Sequence, residues 1–164
     1  MANDDQQLQE ANRKPSGMVN PLSASQWAKL APLAMRRSRF SPGQVVSRRG
    51  DLLNHSLLLL DGFIVRCVPS RQRRRGTVVA LQFPGEFVDL HAFPLKRLDH
   101  DVVSLSETTV AIIEHEALSD LISGDPELAR KLWLMTLVDA LIPRPCRLFS
   151  TLVPAHALSS GHPG

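Results

Sequence analysis

Turns marked by glycine and proline recur at short intervals through the middle of the chain and divide it into short segments. Between the turns lie runs of four to seven residues rich in valine, isoleucine, leucine and threonine. Such residues favour half-buried strands. The turns are Pro42-Gly43, Arg49-Gly50-Asp51, Asp61-Gly62, Arg75-Gly76 and Pro84-Gly85. We therefore predict a mainly β fold with flanking helices (α+β), built as a double-stranded β-helix or jelly roll.

A short helix is predicted before this region. Residues 1–20 are polar and read as a flexible leader. Ser23 or Ser25 can cap a helix over residues 26–31, because serine side chains accept hydrogen bonds from the first free amides of a helix. The basic cluster at residues 35–40 is predicted to end it.

Two helices are predicted after the β region. The first covers residues 116–122 and closes at Gly124. Asp125 then caps a longer helix over about residues 125–142, with proline at its first position and a broad apolar stripe. The proline-rich residues 143–164 fit no period, and we expect them to form an irregular, disordered tail.

Charge is distributed unevenly along the 164 residues, although the net charge is only +3. Residues 36–75 hold ten arginines and two acids, whereas residues 76–142 hold four basic residues and eleven acids. A run at the tip of a predicted hairpin is a candidate contact for a polyanion or an acidic partner. The alternative is a solvated hairpin tip. The run contains Arg71, Arg73, Arg74 and Arg75.

Several protein classes are excluded by simple counts. The two cysteines, Cys67 and Cys146, are too few and too far apart for a disulfide scaffold or an iron–sulfur cluster. No apolar run approaches the 18 or so residues of a membrane span. The N-terminus is too polar for a secretory signal, so a cytoplasmic location is expected. No nucleophile elbow, phosphate-binding loop or other catalytic constellation occurs, and we predict that the chain is not an enzyme.

The order of parts resembles the Crp/Fnr superfamily of bacterial transcription regulators. The resemblance covers about residues 22–142 and rests on four segments in the right order. They are Phe40-Ser-Pro-Gly43 with Arg49-Gly50-Asp51, Leu57-Leu-Leu-Leu-Asp-Gly62, Gln82-Phe-Pro-Gly85-Glu-Phe87 and Pro126-Glu-Leu-Ala-Arg-Lys-Leu-Trp133. The resemblance implies a cyclic nucleotide-binding-like β-roll that acts as a sensor, over residues 21–142.

The resemblance also implies that the long helix pairs with its copy in a second chain. The side chains expected at such a homodimer interface are Leu128, Leu132, Met135, Val138 and Leu141. Family members continue into a helix-turn-helix domain that reads DNA, and 23 residues after Leu141 are too few for one. We therefore interpret the chain as a C-terminally truncated or frameshifted regulator, for which DNA binding is not expected.

Members that bind cyclic nucleotides carry a Gly-Glu pair for the ribose and an Arg-Ser or Arg-Thr pair for the cyclic phosphate. Counted from Gly85, these positions hold Asp89 and Leu90, then His100 and Asp101. Acids repel a phosphate, so tight binding of cAMP is disfavoured and no cofactor is predicted. The degenerate cassette positions are Glu86, which gives an alternative Gly-Glu register, with Asp89, Leu90, Arg97, His100 and Asp101.

Two alternatives to a sensor with an unknown small-molecule effector stay open. One is a functional cyclic-nucleotide-binding module with an atypical cassette. The other is a small cupin-like metal-binding protein, since cupins are also jelly rolls. Against it, the chain has no His-x-His motif, and His91, His100 and His115 are scattered over 25 residues. No metal ligand is therefore predicted.

Overall fold

The computed structural model describes residues 22–68 and 77–141, apart from the side chains of residues 139–141. The predicted leader 1–20, the arginine run at 71–75 and the tail 143–164 lie outside the described residues. The strands are β1 Arg36–Phe40, β2 Val45–Ser47, β3 His55–Asp61, β4 Ile64–Val68, β5 Thr77–Gln82, β6 Asp101–Ser104 and β7 Thr108–Glu114. The α-helices are α1 Ala24–Leu30, α2 Ala92–Leu95, α3 His115–Ser123 and α4 Pro126–Leu141.

The strands form two antiparallel sheets. One has the order β1-β7-β3 and the other the order β2-β6-β4-β5. Every pairing between named strands is antiparallel. The predicted fold class, mainly β with flanking helices, is confirmed. Among the described helices, none combines the length and the apolar character that a membrane crossing requires.

The leucine run in β3 explains how the layers pack. Side chains alternate between the two faces of a strand. Leu57 and Leu59 therefore face the second sheet, where they join Ile64 of β4 and Val102 of β6 in one apolar cluster. The alternate leucines pack on the opposite face, against the helices. Burial of both faces accounts for four consecutive leucines in an antiparallel strand.

The helices are capped as the sequence indicates. Ser23, not Ser25, caps α1: its Oγ accepts from the Gln26 amide at 3.3 Å, and Gln26 Oε1 accepts from the Ser23 amide at 2.9 Å. At the start of α4, Asp125 Oδ1 accepts from the Leu128 amide at 2.9 Å. The reciprocal pair at Ser23 and the single bond at Asp125 satisfy amides near the helix starts that would otherwise lack partners.

One strand in this region is not predicted from the sequence. The basic cluster at residues 35–40 does follow the end of the first helical segment, which closes with a 3-10 turn at Ala31–Ala34, but Arg36–Phe40 is a strand that pairs with β7 along its whole length. Its burial alternates only weakly, because three of its five side chains are arginines at the surface or near it. This segment is a strand because it pairs with the edge of β7. Such pairing is a tertiary contact, which no local pattern in the sequence predicts.

Candidate functional site

The turn after β5 is bonded to β3. Gly85 donates its amide to the Leu59 carbonyl at 2.7 Å, and Val88 donates to the Leu57 carbonyl at 2.8 Å. Gly85 has φ +87°, a left-handed conformation that glycine adopts without strain. We call residues 85–90 the cassette segment. It holds the degenerate cassette positions closest to the turn, and its backbone is fixed by the sheet.

Asp89 is fully buried inside the roll. Its Oδ1 accepts from the Leu57 amide at 2.8 Å, and its Oδ2 has no hydrogen-bond partner among the residues that the structure describes. Burial raises the pKa of Asp89 to about 7, although the hydrogen bond from Leu57 and the charge of Arg66 act in the opposite direction. One oxygen of the carboxyl group is therefore held by the backbone of β3.

Leu90 is also turned inward. It is 7% exposed and packs in the apolar cluster between the first sheet and the helices, with Phe87 of the same segment. A side chain in this place contributes to the core and offers no acceptor to a ribose hydroxyl.

Three polar side chains form a buried network beside the cassette segment. Arg66, Gln82 and Glu86 are at most 8% exposed. In the amide orientation that satisfies both neighbours, Gln82 donates to Glu86 Oε2 at 2.7 Å and accepts from Arg66 Nη2 at 3.2 Å. Glu86 Oε2 also accepts from the Phe83 amide at 3.0 Å. Glu86, the acid of the alternative Gly-Glu register, is thus engaged within the fold.

Sequence reasoning missed Arg66 and Gln82 as members of this region. The available signal was the arginine itself, because it interrupts the otherwise apolar run of β4. A charged residue inside a buried strand requires a partner, which makes it a candidate for a buried polar network.

Two histidines and an acid meet at the loop between the cassette segment and β6. His91 and His100 have ring centroids 5.1 Å apart, and His100 Nδ1 lies 2.6 Å from Asp99 Oδ1. The hydrogen bond to His100 is the main reason that the pKa of Asp99 is lowered. His100 is buried, His91 is half-buried and Asp99 is exposed. The interpretation that these histidines are scattered is wrong for His91 and His100: the loop brings them together.

The other two cassette residues hold the same loop to the turn at residues 49–52. Arg97 Nη1 donates to the Gly50 carbonyl at 2.9 Å, and Asp101 Oδ1 accepts from the Arg49 amide at 2.7 Å. Both side chains therefore have structural partners within the described part of the chain.

A further polar group lies where β7 joins α3. The ring of His115 contacts Lys96 Nζ at 3.0 Å through Nδ1 and Ser56 Oγ at 3.1 Å through Nε2. Burial, and then the charges of Lys96 and His55, lower the pKa of His115 to about 4. Ser56 is fully buried and His115 is 4% exposed. This serine–histidine pair lies where a substrate has no access.

The predicted pairing residues of α4 separate into two groups. Leu128 and Leu132 are buried in their own chain, and Met135 packs partly against the same core. In this arrangement the first two are not available to a second copy, which corrects their assignment to an interface. Val138 is half-buried, and the side chain of Leu141 lies outside the described residues. The outward face of α4 instead carries Trp133, Leu134 and Leu137, which are 46%, 47% and 60% exposed.

A family model for the cyclic nucleotide-binding domain matches residues 37–125. No curated protein matches the chain in sequence. The match spans the described β strands from the second residue of β1 to the last of β7 and ends at Asp125, the cap of α4.

Solved structures of transcription regulators have a similar fold. The Catabolite Activator Protein of Thermus thermophilus is 19% identical with a TM-score of 0.63, over 73% of this chain and 55% of that one. The N-terminal domain of a transcriptional regulator from Streptomyces coelicolor A3(2) is 20% identical with a TM-score of 0.58, over 71% and 83%. The c-di-GMP responsive global regulator CLP of Xanthomonas campestris is 20% identical with a TM-score of 0.62, over 79% and 61%. The chain thus spans little more than half the length of the Thermus protein.

Proposed function

The chain belongs to the cyclic nucleotide-binding domain family, and from this we propose that it is a non-catalytic sensor domain of a cytoplasmic Crp/Fnr-type transcription regulator that does not bind cAMP or cGMP tightly. The similar solved structures named above, all from regulators, support the regulatory part of the proposal. The cassette segment supports the part that concerns the ligand.

The observation that carries this second part is the placement of Asp89 and Leu90. A cyclic nucleotide needs an acceptor for its ribose and a cation for its phosphate. At the ribose positions, Asp89 is bonded to the sheet and Leu90 is packed in the core. At the phosphate positions stand His100, bonded to Asp99, and Asp101, bonded to the turn before β3. The residues present do not fit the nucleotide.

The guanidinium groups of Arg66, beside the cassette segment, and of Arg97, a cassette position, are already engaged. Arg66 is bonded to Gln82 inside the roll, and Arg97 is bonded to the Gly50 carbonyl at the surface. Recruiting either one to a phosphate would break an existing hydrogen bond. For Arg66, the change would also leave Glu86 and Asp89 buried without the compensating charge, which is a costly arrangement.

The proposal that the domain is non-catalytic is supported by the environment of Ser56 and His115, the nucleophile–base pair described above. Ser56 and His115 are within hydrogen-bond distance, but both are buried, and the third partner is a lysine. A serine nucleophile needs its base oriented by an acceptor and its oxygen open to substrate. Neither condition is met.

A thermal-shift titration of the full chain with cAMP and with cGMP tests the proposal. A ligand at about 100 times its Kd adds about 2.7 kcal/mol to the free energy of unfolding. We expect the Tm to stay constant as either nucleotide is raised to millimolar concentration. A Tm that rises progressively with nucleotide would overturn the proposal and favour the alternative, a functional module with an atypical cassette.

A further inference from the structure

The side chains of His91, Asp99 and His100 form a cluster of a kind that binds metal ions. Each offers one ligand atom, and the three atoms lie within 4.8 Å of one another. Two imidazoles and a carboxylate suit a divalent transition metal better than the oxygen-preferring Mg²⁺ or Ca²⁺. The buried ring of His100 gives the cluster a fixed member, and the exposed carboxylate of Asp99 gives it a movable one.

To hold an ion, the three ligand atoms, now within 4.8 Å of one another, must move to a common spacing. A tetrahedral zinc ion with bonds of about 2.0–2.1 Å keeps its ligand atoms about 3.3 Å apart. The Asp99 and His100 atoms are already closer than this, at 2.6 Å, and share a hydrogen bond. Their separation must increase slightly, which the side chain of Asp99 allows because it is 90% exposed.

We propose that His91, Asp99 and His100 form a binding site for a divalent transition metal ion, with Zn²⁺ as the best fit and water completing the coordination. On binding, the ion takes the place of the proton in the hydrogen bond between Asp99 and His100 Nδ1, and the neutral ring then carries its one proton on Nε2. No oxidant or reductant is involved.

The position of the cluster gives this site a consequence for the sensor. His91 directly follows the cassette segment, and His100 directly precedes β6. Between them run α2 and Lys96, whose left-handed conformation (φ 59°) ends that helix. An ion would therefore bind the two ends of one loop together and fix the cassette segment to the second sheet. The idea that this ion is the signal that the sensor detects rests on the proposed function. The binding site itself rests on the geometry alone.

Calorimetric titration of the tag-free full chain with zinc chloride tests the site. We expect saturable binding by the unmodified protein, and an affinity at least about tenfold lower in His91→Gln and in Asp99→Asn. His55→Gln is the matched control, because His55 is half-buried at the start of β3 and its ring bonds only to Asn54 in the described contacts. Its affinity should equal that of the unmodified protein.

His156 and His162 remain in every variant, so a change in affinity reports on the cluster. Far-UV circular dichroism verifies that each variant is folded, and the buried His100 is left unchanged for this reason. Unaltered zinc affinity in both His91→Gln and Asp99→Asn, or no binding by the unmodified protein, would overturn the site. A parallel cAMP titration keeps the two proposals separate, since tight cAMP binding refutes the proposed function and does not change the zinc result.

Discussion

At the scale of single residues, the turns are the features most directly encoded in the sequence. Gly62 follows β3 with φ +86°, and Gly50 has φ +87° in the turn before it. Both conformations explain why glycine occupies these positions. Their surroundings differ: a Cβ at Gly62 would clash with the Glu107 carbonyl oxygen and lie 2.7 Å from Thr108 Oγ1, whereas nothing lies within 4 Å of one at Gly50.

The two glycines therefore form a matched pair for mutagenesis. We expect Gly50→Ala to lower the free energy of unfolding by about 1 kcal/mol, the cost of a left-handed alanine. Gly62→Ala adds a backbone clash and should cost about 3 kcal/mol or more. Urea denaturation of both variants measures the difference. Equal losses would show that the loop at Ser106–Glu107 moves aside without cost.

His115 gives the second prediction at this scale, a dependence of stability on pH. Its pKa is about 4 in the folded protein against an ordinary value of 6.5. As pH falls from 6.5 towards 4, His115 binds a proton in the unfolded chain but not in the folded chain. The contribution of His115 to the free energy of unfolding is therefore full above pH 6.5 and is progressively lost below it. Asp89, whose pKa is raised, acts in the opposite direction, so the comparison must be with a variant.

We expect the loss of stability between pH 6.5 and 4 to be smaller in His115→Gln than in the unmodified protein, measured by urea denaturation at each pH. Lys96→Met should act in the same direction but less strongly, because burial contributes more to the shift than the lysine charge does. Parallel stability curves for His115→Gln and the unmodified protein would contradict the assignment.

At the scale of elements, α4 has two apolar faces with different roles. Its start is held by the cap at Asp125 and by the ion pair of that residue with Lys29 of α1. Leu128 and Leu132 attach it to the roll. The sequence of α4 shows apolar residues at helical spacing. That spacing alone does not tell which of these side chains pack on the chain's own core and which face outward. The partner of a helix face is decided by tertiary packing.

The outward face is the part of α4 on which pairing with a second copy is expected. The double variant Leu134→Glu/Leu137→Glu should convert a dimer to a monomer in sedimentation experiments and leave the fold intact by far-UV circular dichroism, because both side chains are about half exposed or more. A change at Met135 is less informative, since that residue also packs on the core. Asp120→Lys on α3 is the control. An unmodified protein that already sediments as a monomer would contradict the pairing.

At the scale of the whole molecule, the sequence was sufficient for the class of fold and insufficient for the site. The alternation of leucines in β3 and the glycine turns follow from strand geometry, which is local and regular. The convergence of His91 with His100 depends on α2 and on a left-handed lysine, and neither has a strong local signal. The strand Arg36–Phe40 is not predicted from the sequence for the same reason: its conformation is fixed by pairing with a strand more than 60 residues away.

The attachment of the cassette segment to β3 has a consequence for solubility. β3 is the edge strand of its sheet and contains four consecutive leucines. If the backbone groups on its outer side were unpaired, they could hydrogen-bond to a strand of another molecule. The bridge between Leu58 and Phe87, with the amide bonds of Gly85 and Val88, occupies that edge. The same turn that resembles a ligand cassette thus shields this leucine-rich edge strand from pairing with another molecule.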